Sequence, residues 1–455
     1  MAGNRDFTQG SILKKLIVFM LPILCSLALQ VFYGAVDLAI VGRFSSTEAV
    51  SGVSMGSQLI SYATYMIAGM STAITVLIGQ HIGEKNAKAA GDIIGNGIVF
   101  LSCVTVFFMG LFCVFARPLL GLLNMPEEAM DEGAAYTVIC GAGCIFTTAY
   151  NLLGAVFRGI GDSKTPLLTV GIACIFNIAG DLALVWGLNM GAAGAAIATI
   201  AAQALSVAIS LVITLKRAKR GLIPFTFGKE NLKLRKVMML RIIKMAVPLA
   251  FNELVLGLSF LVLSAILNTL GVAASAAVGV TGKISAFIMI FTSAFMQALA
   301  AFVAQNYGAK NMKRARKAWL IGMVLACGLG LVMCGLLFLF GTFFAGIFTK
   351  DTEVMALAAD FAKAYAVDTV FSAAMFCTCG YLNGCGMANI SLVQCIIGAV
   401  VRVPAAFILM SAGGGSMFIT GLCVPISTLA QLIFLLIYLG INNKKINNQF
   451  ETAQE

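Results

Sequence analysis

Ionisable side chains placed inside long apolar runs are where this chain can do chemistry. Asp37 and Asp181 lie in such runs in the first half of the sequence, and neither has an obvious Lys or Arg partner in the runs of that half. A charge at the centre of a bilayer costs at least about 2.5 kcal/mol, so an intramembrane carboxylate marks a pathway or a coupling site. Counting along the runs at about 1.5 Å per residue, both acids fall roughly 10 Å below the outer surface, and Thr199 reaches a similar depth. Asn177 and Asp181 are spaced i, i+4 and share one helix face, as do Tyr33 and Asp37. Two close carboxylates without a basic partner favour uptake of a proton, or of a small cation such as sodium held by their oxygens. Either event can flip a two-state helix packing.

The second half carries different groups. Glu253, Lys283, Asp368 and Arg402 fall within its apolar runs, with Lys363 nearer the outer end. Two acids and two bases suggest internal ion pairs, and substrate contacts are the equal alternative. Glu253 is a contact for cationic cargo if it is unpaired. Methionines at Met66, Met70, Met289, Met296 and Met375 suit an adaptable cavity wall as well as ordinary packing.

The elements that position these residues follow from composition. Of 455 residues 60% are apolar and only 11% charged, with a mean hydropathy of +0.98. A soluble domain carries roughly 25% charged residues, so this chain is solvated mostly by lipid. Apolar runs of about 20 residues or more are long enough to cross a hydrocarbon core about 30 Å thick. The first begins after Lys14 and Lys15 and reads as a spanning helix rather than a cleaved signal. Twelve spans are expected, near 15–41, 50–79, 93–115, 134–157, 166–188, 192–215, 242–270, 273–303, 318–345, 355–379, 389–411 and 416–440.

The spans repeat. Residues 79–92 (GQHIGEKNAKAAGD) return as 304–317 (AQNYGAKNMKRARK), and 157–165 (FRGIGDSKT) as 382–390 (LNGCGMANI), both at an offset of 225. The expected fold class is therefore an all-α integral membrane protein. Its twelve transmembrane helices form two six-helix bundles related by a pseudo-two-fold axis along the membrane normal, as in transporters built from parallel repeats. The expected domains are a first bundle over 1–215, a basic linker over 216–241, a second bundle over 242–440 and a tail over 441–455. At the same offset Asn177 corresponds to Arg402 and Asp181 to Ala406, so the acid pair was not duplicated. Pro22 and Pro248 lie inside apolar runs, where each is either a gating bend or a fixed kink. Glycines such as those of Gly191–Gly194 and Gly413–Gly415 let helices approach closely.

Lys and Arg cluster on alternate loops, at Lys14 and Lys15, Lys85 and Lys88, Arg158 and Lys164, Lys216–Arg220, Lys310–Lys317, and Lys444 and Lys445. The opposite loops carry only Arg43, Arg117 and Lys350. This bias places both termini in the cytoplasm, and a plasma (inner) membrane location is expected. It also accounts for the net charge of +11 without nucleic acid. The thirteen Cys residues lie mostly in apolar runs and the only His is His81, so neither a metal site nor a disulfide framework is expected. No cofactor and no enzymatic chemistry are expected, and an H-E-x-x-H pair is impossible with one His. The expected partners are small-molecule substrates and the bilayer, with the chain a monomer.

Pro22 followed by Gln30, Tyr33, Asp37 and Val41-Gly42-Arg43 resembles the first helix of the multidrug and toxic compound extrusion (MATE) family. The Gly79-Gln80 and Gly83 loop, the Arg158-Gly159 turn and the Ala304-Gln305 loop with Gly308-Ala309 resemble its repeated cytoplasmic loops. The resemblance covers nearly the whole chain. It implies two V-shaped bundles, alternating access and export of organic cations against proton or sodium entry. Asn177-x-x-x-Asp181 is similar to the DinF-like prokaryotic branch. That likeness implies Asp37, Asn177, Asp181 and Thr199 as the cation-coupling residues, with Tyr33 and Asn151 in the surrounding hydrogen-bond network. Glu253, five residues after Pro248, is similar to an acid used by another branch, whereas Asp368 falls about one turn out of that register. The alternative within the broader superfamily is a lipid-linked oligosaccharide flippase. Such a protein wants a strongly cationic cavity, and the first half has essentially no intramembrane base.

Overall fold

A computed structural model of the protein describes residues 6–413 and 416–448, with side chains through residue 442. Gly414, Gly415, the side chains of Lys444 and Lys445, and residues 449–455 of the expected tail lie outside the described residues. Among those described, every regular element is a helix. They run α1 (Ile12–Phe44), α2 (Thr47–Gly83), α3 (Ala87–Leu122), α4 (Met130–Ala142), α5 (Cys144–Gly159), α6 (Lys164–Asp181) and α7 (Gly191–Lys219), then α8 (Lys236–Asn268), α9 (Val272–Gly308), α10 (Met312–Gly346), α11 (Thr352–Gly384), α12 (Ala388–Ala412), α13 (Met417–Gly421) and α14 (Cys423–Asn448).

Ten helical stretches are long and apolar enough to cross a membrane, and the pair formed by Glu127–Ala142 and Cys144–Gly159 makes an eleventh, bent by 50°. The twelfth rod is α11, 33 residues long. Its polar content, Asp360, Lys363 and Asp368 included, makes it less apolar than the others. The rods extend beyond the sequence estimates because the polar turns at their ends stay helical. The break between α4 and α5 is the one feature that a single span over 134–157 did not anticipate. It falls at Gly143, where a Cβ would lie 2.5 Å from the Ile200 side chain, so only glycine lets α7 approach the bend.

The duplication is written into the backbone. Lys85 and Lys310 both adopt left-handed φ values, 58° and 55°, and Gly161 and Gly386 do so at 78° and 84°. Asn86 and Asn311 cap α3 and α10 by accepting from Ala89 N and Arg314 N. Both helices then break at a single non-helical residue, Phe115 in one and Phe340 in the other. Each pair is separated by the 225 residues of the sequence repeat.

The chain divides into two units, one comprising Leu21–Ala250 and the other Phe7–Met20 with Phe251 onward. In the first unit α2 lies close on α4. A Cβ at Gly52 would meet Gly133 N at 2.8 Å, and one at Gly56 the Tyr136 ring at 2.8 Å. These two glycines, four residues apart, act as the small-xxx-small contact of lipid-embedded helices. The run Gly52-Val53-Ser54-Met55-Gly56 also has the letters of a nucleophile elbow. That motif needs a strand-to-helix turn to present its serine, whereas here it lies inside continuous helix with Ser54 exposed.

The linker is docked rather than free. Thr226 N donates to Ala87 O at 3.1 Å. Asp92 accepts from Asn231 Nδ2 at 2.7 Å and pairs with Arg235 Nη1 at 2.8 Å. Arg235 N donates to Asn96 Oδ1 at 2.9 Å. Gly91 and Gly95 make room for it, since a Cβ on either would collide with linker carbonyls. Arg217, one of the basic linker-entry residues, reaches back to Asp162 at 2.6 Å and Thr165 at 2.9 Å, so its charge is engaged locally as well as contributing to the basic loop.

In the second unit α9 and α10 both pack on α11. The unit also takes in Phe7, which is fully buried. Its ring stacks on Phe302 with centroids 5.0 Å apart and meets Phe19 edge-on at 4.8 Å. Its carbonyl accepts from Arg314 Nε at 2.8 Å and Asn306 Nδ2 at 3.2 Å.

Candidate coupling site

Three helices of the first unit supply the acid pair and its hydroxyl neighbour. Asp37 comes from α1, Asp181 is the last residue of α6, and Thr199 lies on α7. Directly after Asp181 the chain widens into a π-helical turn, Leu182–Gly187. Such turns interrupt the regular ladder and frequently sit at functional sites. Asp37 is 7% exposed and Asp181 0%. Their carboxyl groups come within hydrogen-bonding reach of each other. No protein donor serves Asp37 Oδ1 or either oxygen of Asp181. Among the described residues no Lys, Arg or His forms an ion pair with either acid. Two adjoining carboxyl groups are acceptor-only when both are ionised, so their contact is favourable only with a proton or another cation between them.

Asn177 lies one turn before Asp181, 1% exposed, and donates from Nδ2 to Thr199 Oγ1 at 3.4 Å. Its Oδ1 has no donor. A cavity of about 30 Å³ opens beside it, lined by Tyr33, Tyr150, Asn177, Thr199, Gln203 and Ser206 among others. About 10–15 Å³ of such space holds one water molecule. Unserved oxygens on Asn177 and Ser206 thus adjoin space that water or a small cation can enter, one helical turn from the acid pair's Asp181. Tyr136, on α4, is the buried aromatic neighbour of Asp37.

The structure thus brings together Asp37, Asn177, Asp181, Thr199 and Tyr33. Asn151 takes another course: its Nδ2 donates to Thr147 O on its own helix at 2.9 Å, and it does not line the cavity. Tyr150, Gln203 and Ser206 were not singled out from the sequence. The last two were within reach of it, because Thr199, Gln203 and Ser206 follow i, i+4, i+7 along one helix face.

The second unit's charged residues do not form the ion pairs that their types suggested. Among the described residues none of Glu253, Lys283, Asp368 and Arg402 is paired with another. Lys283 is exposed and lies 5.7 Å from the centre of the Phe348 ring. Glu253 is half-buried on α8. Lys363 pairs with Asp360 at 3.3 Å. Arg402 is held by serines instead, and it shares with Asp368 a second cavity of about 40 Å³. Long side chains on separate helices meet only where packing aims them at one another, and of these four only Asp368 on α11 and Arg402 on α12 face a common space.

Among the described residues no three His, Cys, Asp or Glu side chains form a metal-binding group. The acid pair with its amide and hydroxyl neighbours instead offers oxygen ligands suited to a hard monovalent ion or a proton.

Twelve helical rods built from a duplicated six-helix motif, most of them long and apolar enough to span a membrane, with two buried acids adjoining inside one copy, have the architecture of a membrane transporter. The MatE family model matches residues 22–183 and 248–408, and the chain belongs to that family. Among its relatives, the probable multidrug resistance protein YpnP of Bacillus subtilis (strain 168) is 25% identical over 400 residues, 88% of each chain. The multidrug export protein MepA of Staphylococcus aureus (strain MSSA476) is 21% identical over 440 residues, 95% of each. A solved outward-facing multidrug resistance MATE transporter of the MOP superfamily superposes with a TM-score of 0.90 at 17% identity. The match covers 98% of this chain and 99% of that one, and it establishes the shared fold.

Proposed function

We propose that this chain is a cation-coupled secondary antiporter that exports amphipathic, often cationic, small molecules by alternating access. Asp37, Asn177, Asp181 and Thr199 take up the coupling proton or sodium ion. Tyr33 orders the neighbouring cavity, and Asn151 belongs to the wider polar network. The observation that carries this reading is the meeting of two buried carboxyl groups, with no ion-pair partner among the described residues and no donor to Asp37 Oδ1 or to either Asp181 oxygen. In the proposed cycle the empty, outward-open protein binds the cation at Asp37 and Asp181, and neutralising the pair lets α1 and α6 pack more closely. Pro22, inside α1, removes one backbone hydrogen bond there and gives that helix a place to bend. Cargo leaves to the outside, and the cation unloads inside. A membrane potential adds about 2.3 kcal/mol per charge per 100 mV to that inward step.

In the same reading the bundles run over 1–215 and 242–440 with a cytoplasmic linker over 216–241 and a cytoplasmic tail over 441–455. The protein works as a monomer in the plasma membrane, with both termini inside. The relatives' multidrug resistance and export names support an efflux role. A lipid-linked flippase is less well supported, since the buried Arg402 shares its cavity with Asp368.

The test is efflux of a fluorescent organic cation from proteoliposomes, driven by a pH gradient alone and then by a sodium gradient alone. One of the two gradients is expected to drive transport. A protein that responds to neither is not an antiporter of this kind.

A further inference from the structure

A line of polar side chains runs from the acid pair toward the first turn of α6 and the last turn of α7. On α6 it is Thr165, Thr169, Ala173, Asn177 and Asp181, each four residues from the last, so all share one face. On α7 it is Thr199, Gln203, Ser206, Ser210 and Arg217, in the steps of four, three and seven that follow a helix seam. The two faces meet. Asn177 donates to Thr199 at 3.4 Å near one end, and Arg217 Nη2 to Thr165 Oγ1 at 2.9 Å at the other. Between these ties Thr169, Ser206 and Ser210 are 2%, 0% and 4% exposed. Ser206 Oγ is buried without a partner, and Ser206 and Ala173 line the cavity beside Asn177. From Asp181 to Thr165 the line covers about 24 Å of helix.

Its far end is shut. Asp162, 3% exposed, accepts from Lys164 N and Thr165 N at 3.1 Å, from Thr165 Oγ1 at 2.7 Å and from Arg217 Nη1 at 2.6 Å. A guanidinium held across the mouth repels an arriving cation. The second copy is sealed along the same line. At the 225-residue offset Asp162, Thr165, Ser210 and Thr214 become Met387, Ile390, Leu435 and Leu439, which share one apolar cluster with Leu435 fully buried. Ala173 becomes Gly398, whose Cβ position is taken by the Gln431 amide. Arg217 becomes Asn442, which donates to Tyr438 O on its own helix. Polarity along this seam thus goes with the acid pair.

We propose that the α6–α7 seam is the inner passage of the coupling cation, which leaves the acid pair along these hydroxyls and the water between them, and that Asp162, Thr165 and Arg217 form its gate. Hydroxyls both donate and accept, so a wetted row of them relays a proton or ligates a small cation. Opening requires Arg217 to swing away from Thr165, which bares Asp162 as the last waypoint. The passage deepens the coupling reading above and rests on it for the cation's origin at Asp37 and Asp181, but its test reads passive leak rather than driven transport.

Proteoliposomes of the full chain are given a pH gradient, and then a sodium gradient, with no cargo, and the decay is followed with a trapped pH-sensitive or sodium-sensitive dye. The empty protein is outward-open in the proposed cycle, so unlocking the inner end joins the two sides. Arg217→Gln is expected to speed the decay of one gradient about fivefold or more, the low end of a lost coupling. Adding Ser210→Leu, which installs the second copy's residue in the passage, should return the decay to the wild-type rate. Wild-type tightness in Arg217→Gln, or a leak that Ser210→Leu leaves standing, overturns the proposal. Should either variant fail to fold, by thermal unfolding in detergent, Thr165→Val loosens the gate and Ser206→Val fills the passage under the same two criteria. A leak closed by Ser210→Leu in a protein whose efflux no gradient drives removes only the antiport reading. Driven efflux with no leak in Arg217→Gln removes only this passage.

Discussion

In the first unit the cavity wall includes Tyr150, Asn177, Thr199, Gln203 and Ser206. In the second, 225 residues on in each case, it includes Met375, Arg402, Val424, Thr428 and Gln431. The hollow has been kept in the same place in both copies of the motif while its chemistry has diverged. An amide became a guanidinium, and the buried acid one turn further on, Asp181, became the fully buried Ala406. Ala202, which also lines the first cavity, became Ser427, the serine that holds Arg402. Asp368 stands where the first copy has Gly143, so the position that bends one rod carries a carboxylate on an unbroken helix in the other. A duplicated chain has thus kept a hollow lined by uncharged polar groups in one copy and placed a fixed guanidinium in its twin. The lesson is that internal repetition fixes where a site forms, and the residues then decide what it takes.

The sharpest way to break this comparison is to neutralise each acid in turn. Asp181→Asn is expected to lower gradient-driven efflux of a monocationic dye about 5- to 150-fold, the range of a lost coupling free energy. Asp37→Asn should do the same, whereas Asp368→Asn should leave driven flux of that dye within about twofold. Equal losses in all three would mean that both copies couple. The next largest effect comes from moving one copy's chemistry into the other. Asn177→Arg places a guanidinium one turn from Asp181 on the same helix face, where it can occupy the acid pair as an internal cation. Driven efflux should fall about tenfold or more, with the fold intact by thermal unfolding in detergent. Retained coupling would show that the amide position is not part of the cation site. The smallest effect is structural. Gly143→Ala sets a methyl 2.5 Å from Ile200 and should cost about 1–3 kcal/mol by overpacking, read as a lower midpoint of thermal unfolding. An unchanged midpoint would mean that α7 yields easily at the bend.

Much of this was legible because it depends on residues close in sequence. The spacing of Asn177 and Asp181, and of Tyr33 and Asp37, gives shared helix faces directly, and a 225-residue offset is visible by inspection. Gln203 and Ser206 were equally accessible, on the stripe that begins at Thr199. The partners of Arg402 were not. Ser259 and Ser427 come from α8 and α14, and no local pattern announces that three distant helices bring them to one guanidinium. The expectation of ion pairs followed from counting charges, and it failed because packing rather than composition sets which side chains meet. The bend at Gly143 was hidden among many glycines, since its cause is the Ile200 side chain on another helix. The docked linker depends likewise on Gly91 and Gly95, whose missing side chains leave room for backbone more than 130 positions away.

The seat of Phe7 sets a rule for anyone handling the protein. An affinity tag added ahead of Asp6 leaves the ring between Phe19 and Phe302, where it belongs. A truncation or an alternative start codon that removes it opens a phenyl-sized hole, at a cost of about 3–5 kcal/mol. It also takes away the carbonyl that Arg314 and Asn306 share.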